Sequence, residues 1–134
     1  MTRRELREQI FKLLFRVEFN KKEEMPEQVQ LFFEDEEVEA DVQDTEEITA
    51  KYEKIVEKLG DIDAMIGEKA EGWTVSRMGK VDITILRLAV FEIKFDEDIP
   101  TSVAINEAVE LAKKFGQDNS AKFINAVLAK FAEA

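Results

Sequence analysis

Along the first stretch of the chain, Leu6, Ile10, Leu13, Leu14 and Val17 recur at three- and four-residue intervals, the spacing of a helix that buries one stripe. Thr2 stands three residues before Glu5, where a hydroxyl and a carboxylate cap a helix start reciprocally. A short helix is predicted near Pro26, whose ring suits a first turn, with Val29, Phe32 and Phe33 on its apolar side. The acidic run EDEEVEAD at 34–41 is the least helical stretch. From about Thr45 a longer helix carries Ile48, Tyr52, Ile55, Val56 and Leu59, with Gly60 as its predicted C-terminal cap. Asp61 is placed to cap the next helix, which holds Ile62, Met65, Ile66 and Ala70.

VDITILRLAVFEI at 81–93 is apolar around much of its circumference, as befits a helix surrounded by others, and is expected to be the central element. Asp98-Ile99-Pro100 breaks the chain, and Thr101 or Ser102 is expected to cap a helix with Ile105, Ala108, Val109, Ala112 and Phe115 on its buried side. Gly116 ends that helix. A last one, from about Ser120, buries Ile124, Val127, Leu128 and Phe131. Two prolines and five glycines leave little turn chemistry, so the fold class is all-α. Neither a repeat nor a Gly/Ser or Pro-rich linker divides residues 1–134, which read as one domain.

Absence of histidine and cysteine excludes zinc sites, Ser-His and Cys-His catalytic pairs, redox thiols and the usual haem ligands. Ser76, Thr84 and Ser120 then lack a base partner, and no catalytic residue is assigned. The acidic run lacks the spacing of a calcium loop, so neither a metal nor a cofactor is expected. Apolar runs reach only four residues, as in Leu88–Phe91, and the N-terminal stretch is basic without the apolar core of a signal peptide. A soluble, cytoplasmic protein that does not span a membrane is the expectation.

A net charge of −11 argues against a nucleic-acid ligand, yet it conceals a gradient. Residues 1–16 hold five basic groups against two acidic ones, residues 17–71 six against nineteen, and residues 72–134 eight against nine. On an ideal helix Arg4, Arg7, Phe11 and Phe15 fall within an arc of about 80° beside the apolar stripe. Cations interleaved with rings suit single-stranded RNA, guanidinium groups meeting phosphates and aromatic faces taking unstacked bases. The competing account makes both phenylalanines core and the arginines its rim. Lys113 and Lys114 complement the negative end of their helix, and with Arg77, Lys80 and Lys122 they flank turns that could converge on the basic face. Trp73 is expected to cap a helix bundle with its apolar body.

The segments RRELREQIFKLLF at 3–15, VDITILRLAVFEI at 81–93, DIPTSVAINEAVELAKKFG at 98–116 and NSAKFINAVLAK at 119–130 together resemble the NusB family of transcription antitermination factors. The resemblance runs the length of the chain; over 20–72 it is one of helical pattern alone. It implies about seven helices in two three-helix bundles packed crosswise, and a non-catalytic protein without a cofactor. It also implies binding of single-stranded boxA RNA in nascent ribosomal RNA transcripts, together with NusE, the ribosomal S10 protein, within the RNA polymerase antitermination complex.

Carried over by position, the resemblance implies RNA contacts at Arg3, Arg4, Arg7 and Phe15. It adds Arg77 and Lys80 around Gly79, and Asn119, Ser120, Lys122 and Phe123 at the start of the last helix. Asp82 marks the implied NusE surface. Four positions depart from the family's habit: Glu5 interrupts a basic run, Phe15 replaces a tyrosine, Asn119 an acid and Ala126 a glycine. Two other readings stand beside this one. A stand-alone domain related to the RNA-binding part of ribosomal RNA cytosine methyltransferases is the first, and an acidic, protein-binding helical adaptor is the second. The oligomeric state is open, since a homodimer can mask an arginine-rich face.

Overall fold

The computed structural model describes residues 1–132, and among them are seven α-helices, three single 3-10 turns and no strand. The helices are α1 (Arg3–Phe15), α2 (Met25–Glu34), α3 (Val42–Glu57), α4 (Leu59–Lys69), α5 (Lys80–Phe95), α6 (Thr101–Phe115) and α7 (Ser120–Ala132). The chain divides into two compact units, Met1–Val56 with α1 to α3 and Glu57–Ala134 with α4 to α7. The seven helices are the number the resemblance implied. No helix among the described residues is long and apolar enough to cross a membrane.

In the first unit α1 begins as its sequence predicts. The Glu5 amide donates to the Thr2 hydroxyl at 3.1 Å, and the Thr2 amide donates to the Glu5 carboxylate at 3.2 Å. Two backbone amides that a helix start would otherwise leave unpaired are thereby satisfied. Leu6, Ile10, Leu13 and Leu14 are buried, while Val17 lies past the helix end in a 3-10 turn and is half-buried. Pro26 sits in the first turn of α2. Residues 35–41 are non-helical, as their composition predicts. The start of α3 comes three residues before the expected Thr45, because Asp41 and Asp44 cap it: the Asp44 amide donates to Asp41 Oδ1 at 2.7 Å and the Asp41 amide to Asp44 Oδ2 at 3.3 Å.

Gly60 does not cap α3. That helix ends at Glu57, and the break before α4 is Lys58, with φ −97° and ψ 5°. A one-residue break of this kind needs no left-handed residue, so Gly60 falls in the first turn of α4 beside Asp61, whose carboxylate complements the positive helix end. Nor do Thr101 and Ser102 cap α6. The N-cap is Pro100, and the two hydroxyl residues are the first two of the helix.

The predicted central helix is central to its unit: α5 packs against α4, α6 and α7, and every residue from Ile83 to Glu92 is buried. α6 and α7 pack on one another, with Ala104, Ala108 and Ala112 of α6 and Ile124 and Leu128 of α7 all buried. Between them Gly116 ends α6 as expected, for an unexpected reason. Its backbone is extended, and a Cβ there would lie 2.5 Å from Ser120 Cβ and 2.7 Å from the Ala112 carbonyl oxygen. Close approach of the two helices selects glycine, not a left-handed turn.

Candidate nucleic-acid interface

Burial falls away around α1 in the order the helical wheel gives. On an ideal wheel Arg7 lies about 20° from Leu14 at the edge of the apolar stripe, followed by Phe11, Arg4 and Phe15 across about 80°. Arg7 and Phe11 retain 8% and 3% of their exposure and belong to the interior, so for Phe11 the core account is the right one. Phe15 is half-buried, and Arg3 and Arg4 are exposed. Arg3 forms an ion pair with Glu47 of α3, and the N-terminal ammonium lies 3.5 Å from Asp44, so the start of α1 is tied to the start of α3.

The rings on this side form a ladder at four-residue spacing. Phe15 stacks near Phe11 with ring centres 6.1 Å apart and meets Phe19 edge-on at 4.9 Å. Phe19, 59% exposed, carries the ladder into solvent. Helical patterning does not reveal it because it lies beyond the helix, although the spacing Phe11, Phe15, Phe19 was there to extend. Two cations of the basic segment serve the fold. Lys12 pairs with Glu8 at 3.5 Å, while Arg16 lies over the Phe32 ring at 5.2 Å and donates to the Gln28 carbonyl at 3.2 Å. Glu5, the acid that interrupts the basic run, is engaged in the cap, and its hydrogen bonds with Thr2 hold its carboxyl below the usual glutamate value.

A second group of implied contacts lies in the other unit. Gly72 takes the left-handed conformation, φ 79°, and turns the chain out of α4. The 3-10 turn Val75–Arg77 follows, Met78 anchors it in the interior, and Gly79 is the N-cap of α5. Arg77 and Lys80 on this connection are exposed. At the start of α7, Asn119 and Lys122 are exposed and Phe123 is half-buried. Ser120 is buried, and its hydroxyl accepts from the Gln117 amide at 2.9 Å, closing the turn before α7. That hydroxyl is placed to shape the turn, with its neighbours Asn119 and Lys122 left at the surface.

The two segments meet. Trp73 packs edge-on against Phe123 with ring centres 5.7 Å apart, and Lys130 of α7 lies 3.5 Å from Glu71. Trp73 does not cap a bundle, as its composition suggested; it is 51% exposed, because Gly72 carries it out past the end of α4. Asp82, in the first turn of α5, is half-buried where its charge complements the helix start. Lys113 and Lys114 are exposed at the end of α6, and Lys114 lies over the Phe115 ring at 5.5 Å.

In one unit exposed cations open α1 and partly exposed rings close it, and in the other exposed cations share a turn–helix junction with the Trp73–Phe123 ring pair, features of an all-helical protein suited to an anionic partner with flat faces. The NusB family model matches residues 4–133. The transcription antitermination protein NusB of Agathobacter rectalis is 54% identical over 132 residues, covering 98% of this chain and all of that protein. Its counterpart from Lachnoclostridium phytofermentans is 52% identical, with 97% and 98% covered. Among solved structures, NusB of T. maritima superposes with a TM-score of 0.85 at 38% identity, covering 99% of this chain and 92% of that one. A crystal structure of the antitermination factors NusB and NusE in complex with dsRNA matches with a TM-score of 0.77 at 25% identity, with 96% and 94% covered. The chain belongs to the NusB family.

Proposed function

We propose that this chain is a transcription antitermination factor. It binds single-stranded boxA RNA of nascent ribosomal RNA transcripts together with NusE and joins the RNA polymerase antitermination complex in the cytoplasm. It acts as a single RNA-binding domain and as an adaptor, without catalysis. The observation that carries this reading is the family match from residue 4 to residue 133, joined to a fold like that of a NusB in complex with NusE and dsRNA. The exposed Arg3, Arg4, Arg77, Lys80 and Lys122, with Phe15 at the end of α1 and Phe123 near the start of α7, are the side chains assigned to RNA, and Asp82 is assigned to NusE.

A surface of this kind overcomes a net charge of −11 because screening confines exposed charges to within about 10 Å at 0.1 M salt. Phosphates seated beside Arg77 then feel the local cations more than distant acids, while at the start of α1 the nearby Asp44 and Glu47 are engaged by the N-terminal ammonium and Arg3. The test is titration of a boxA oligonucleotide, a scrambled single strand and a duplex, each with and without NusE, at two salt concentrations. Tighter binding of the boxA strand, strengthened by NusE and weakened by salt, is expected. Binding of NusE with no RNA affinity at either salt would identify an acidic protein-binding adaptor instead.

A further inference from the structure

Half of the Trp73 surface is in solvent, which is costly for the largest apolar surface any residue carries. Its position is built rather than loose. Gly72 turns in the left-handed region just before it, the Trp73 amide donates to the Ala70 carbonyl at 3.0 Å, and the indole is braced edge-on by Phe123 at 5.7 Å. We propose that Trp73, backed by Phe123, is a stacking platform for one unpaired base of the bound RNA, an inference that rests on the RNA-binding reading above.

Charge favours a nucleotide over an apolar protein segment as the occupant. In the two stretches that meet here, 71–80 and 117–123, the cations are Arg77, Lys80 and Lys122, and the acids are Glu71 and Asp118. Glu71 is paired with Lys130, which leaves the local balance positive. An indole face beside exposed ammonium and guanidinium groups matches a base with phosphates on either side. Stacking of this kind tolerates any base, since every base presents a flat face. The platform therefore adds affinity and fixes where the strand lies, while sequence is read elsewhere.

Trp73 is the single tryptophan, so its fluorescence reports on this position alone. Binding is followed independently by the anisotropy of a labelled boxA strand. At matched saturation the boxA strand is expected to quench Trp73, whereas a ribose-phosphate strand of equal length without bases leaves it unquenched. Trp73→Ala is expected to weaken boxA binding about 5- to 150-fold, the range for loss of one stacked base, with the salt slope unchanged because every phosphate keeps its cation. Trp73→Phe, which keeps a ring and the fold, is expected to recover most of the affinity. Saturating RNA binding with undiminished Trp73 emission, and full affinity in both variants, would overturn the platform while leaving the RNA-binding reading intact. Quenching by NusE but not by RNA would overturn it too, assigning the ring to the protein partner. A wild-type chain that binds no RNA by anisotropy removes both.

Discussion

Arg87 of α5 grips Asp63 of α4 with a two-pronged pair: Nε lies 2.8 Å from Oδ1 and the terminal Nη2 2.9 Å from Oδ2. The guanidinium is all but buried, its side chain 9% exposed, whereas the carboxylate is 28% exposed. Removing one partner strands a desolvated charge, a change that costs about 3–5 kcal/mol in full burial. With Asp63 partly in water, Asp63→Asn is expected to cost about 2 kcal/mol. Arg87→Lys is expected to be no milder, since an ammonium cannot reproduce the fork. Urea denaturation measures both, and a destabilisation below about 0.5 kcal/mol would show the pair to be a surface contact in energetic terms.

Gly116 supplies a second prediction. The added methyl of Gly116→Ala meets a backbone carbonyl at 2.7 Å and Ser120 Cβ at 2.5 Å, and neither is the free end of a flexible chain. One of the two helices must shift, at an expected cost of about 1–3 kcal/mol. Ser120→Gly removes one of the two obstacles, so the double variant is expected to recover part of that stability. Thermal unfolding of the four proteins in the cycle checks it, and strict additivity would mean that the two positions do not touch.

Much of this architecture was legible in the sequence because α-helical periodicity and capping are local. Leu6, Ile10, Leu13 and Leu14 announced their own burial, and Thr2 with Glu5 announced the start of α1. The misplaced caps at Gly60 and Thr101 are local, where neighbouring residues compete for one helix end, but the errors that bear on the site depend on a neighbour distant in sequence. Arg7 sits at the margin of a stripe whose width no single helix defines, and it proves buried. Trp73 was expected to cap a helix bundle with its apolar body, and only the left-handed Gly72 before it and Phe123 as its ring partner account for its exposed position. Gly116 does end α6, but for a reason that needs α7 to be visible. Phe19 lay one rung past the end of a helix whose pattern had already ended.

Glu5 yields a pH prediction. Its carboxyl is held below the ordinary 4.5 chiefly by hydrogen bonding with the Thr2 backbone and hydroxyl, so the folded chain favours the charged form. The stabilisation is fully present above that ordinary value and is lost as pH falls through the lower folded one. Glu5→Gln is therefore expected to lower the urea midpoint at pH 7 and to match wild type more closely at pH 3. Thr2→Ala is expected to bring the Glu5 titration, followed by carboxyl NMR, back toward 4.5. A Glu5 titration unmoved by Thr2→Ala would show that the cap does not hold the charge.

Exposed cations assigned to RNA differ from buried ones in what their removal should change. Arg4 and Arg77 are exposed, so alanine there is expected to leave the urea midpoint nearly unaltered and to act on binding alone. Removing one cation from a phosphate of a single strand lowers the slope of log affinity against log salt by about 0.7, and weakens scrambled and boxA strands alike. Arg7, with 8% of its surface exposed, is expected to behave otherwise: Arg7→Ala removes packing and lowers stability, with any effect on RNA following from that. Measuring slope and midpoint together for Arg4→Ala, Arg77→Ala and Arg7→Ala separates the two roles. If Arg7→Ala flattens the salt slope at unchanged stability while Arg4→Ala and Arg77→Ala do not, the RNA runs along a different side of α1 from the one assigned to it.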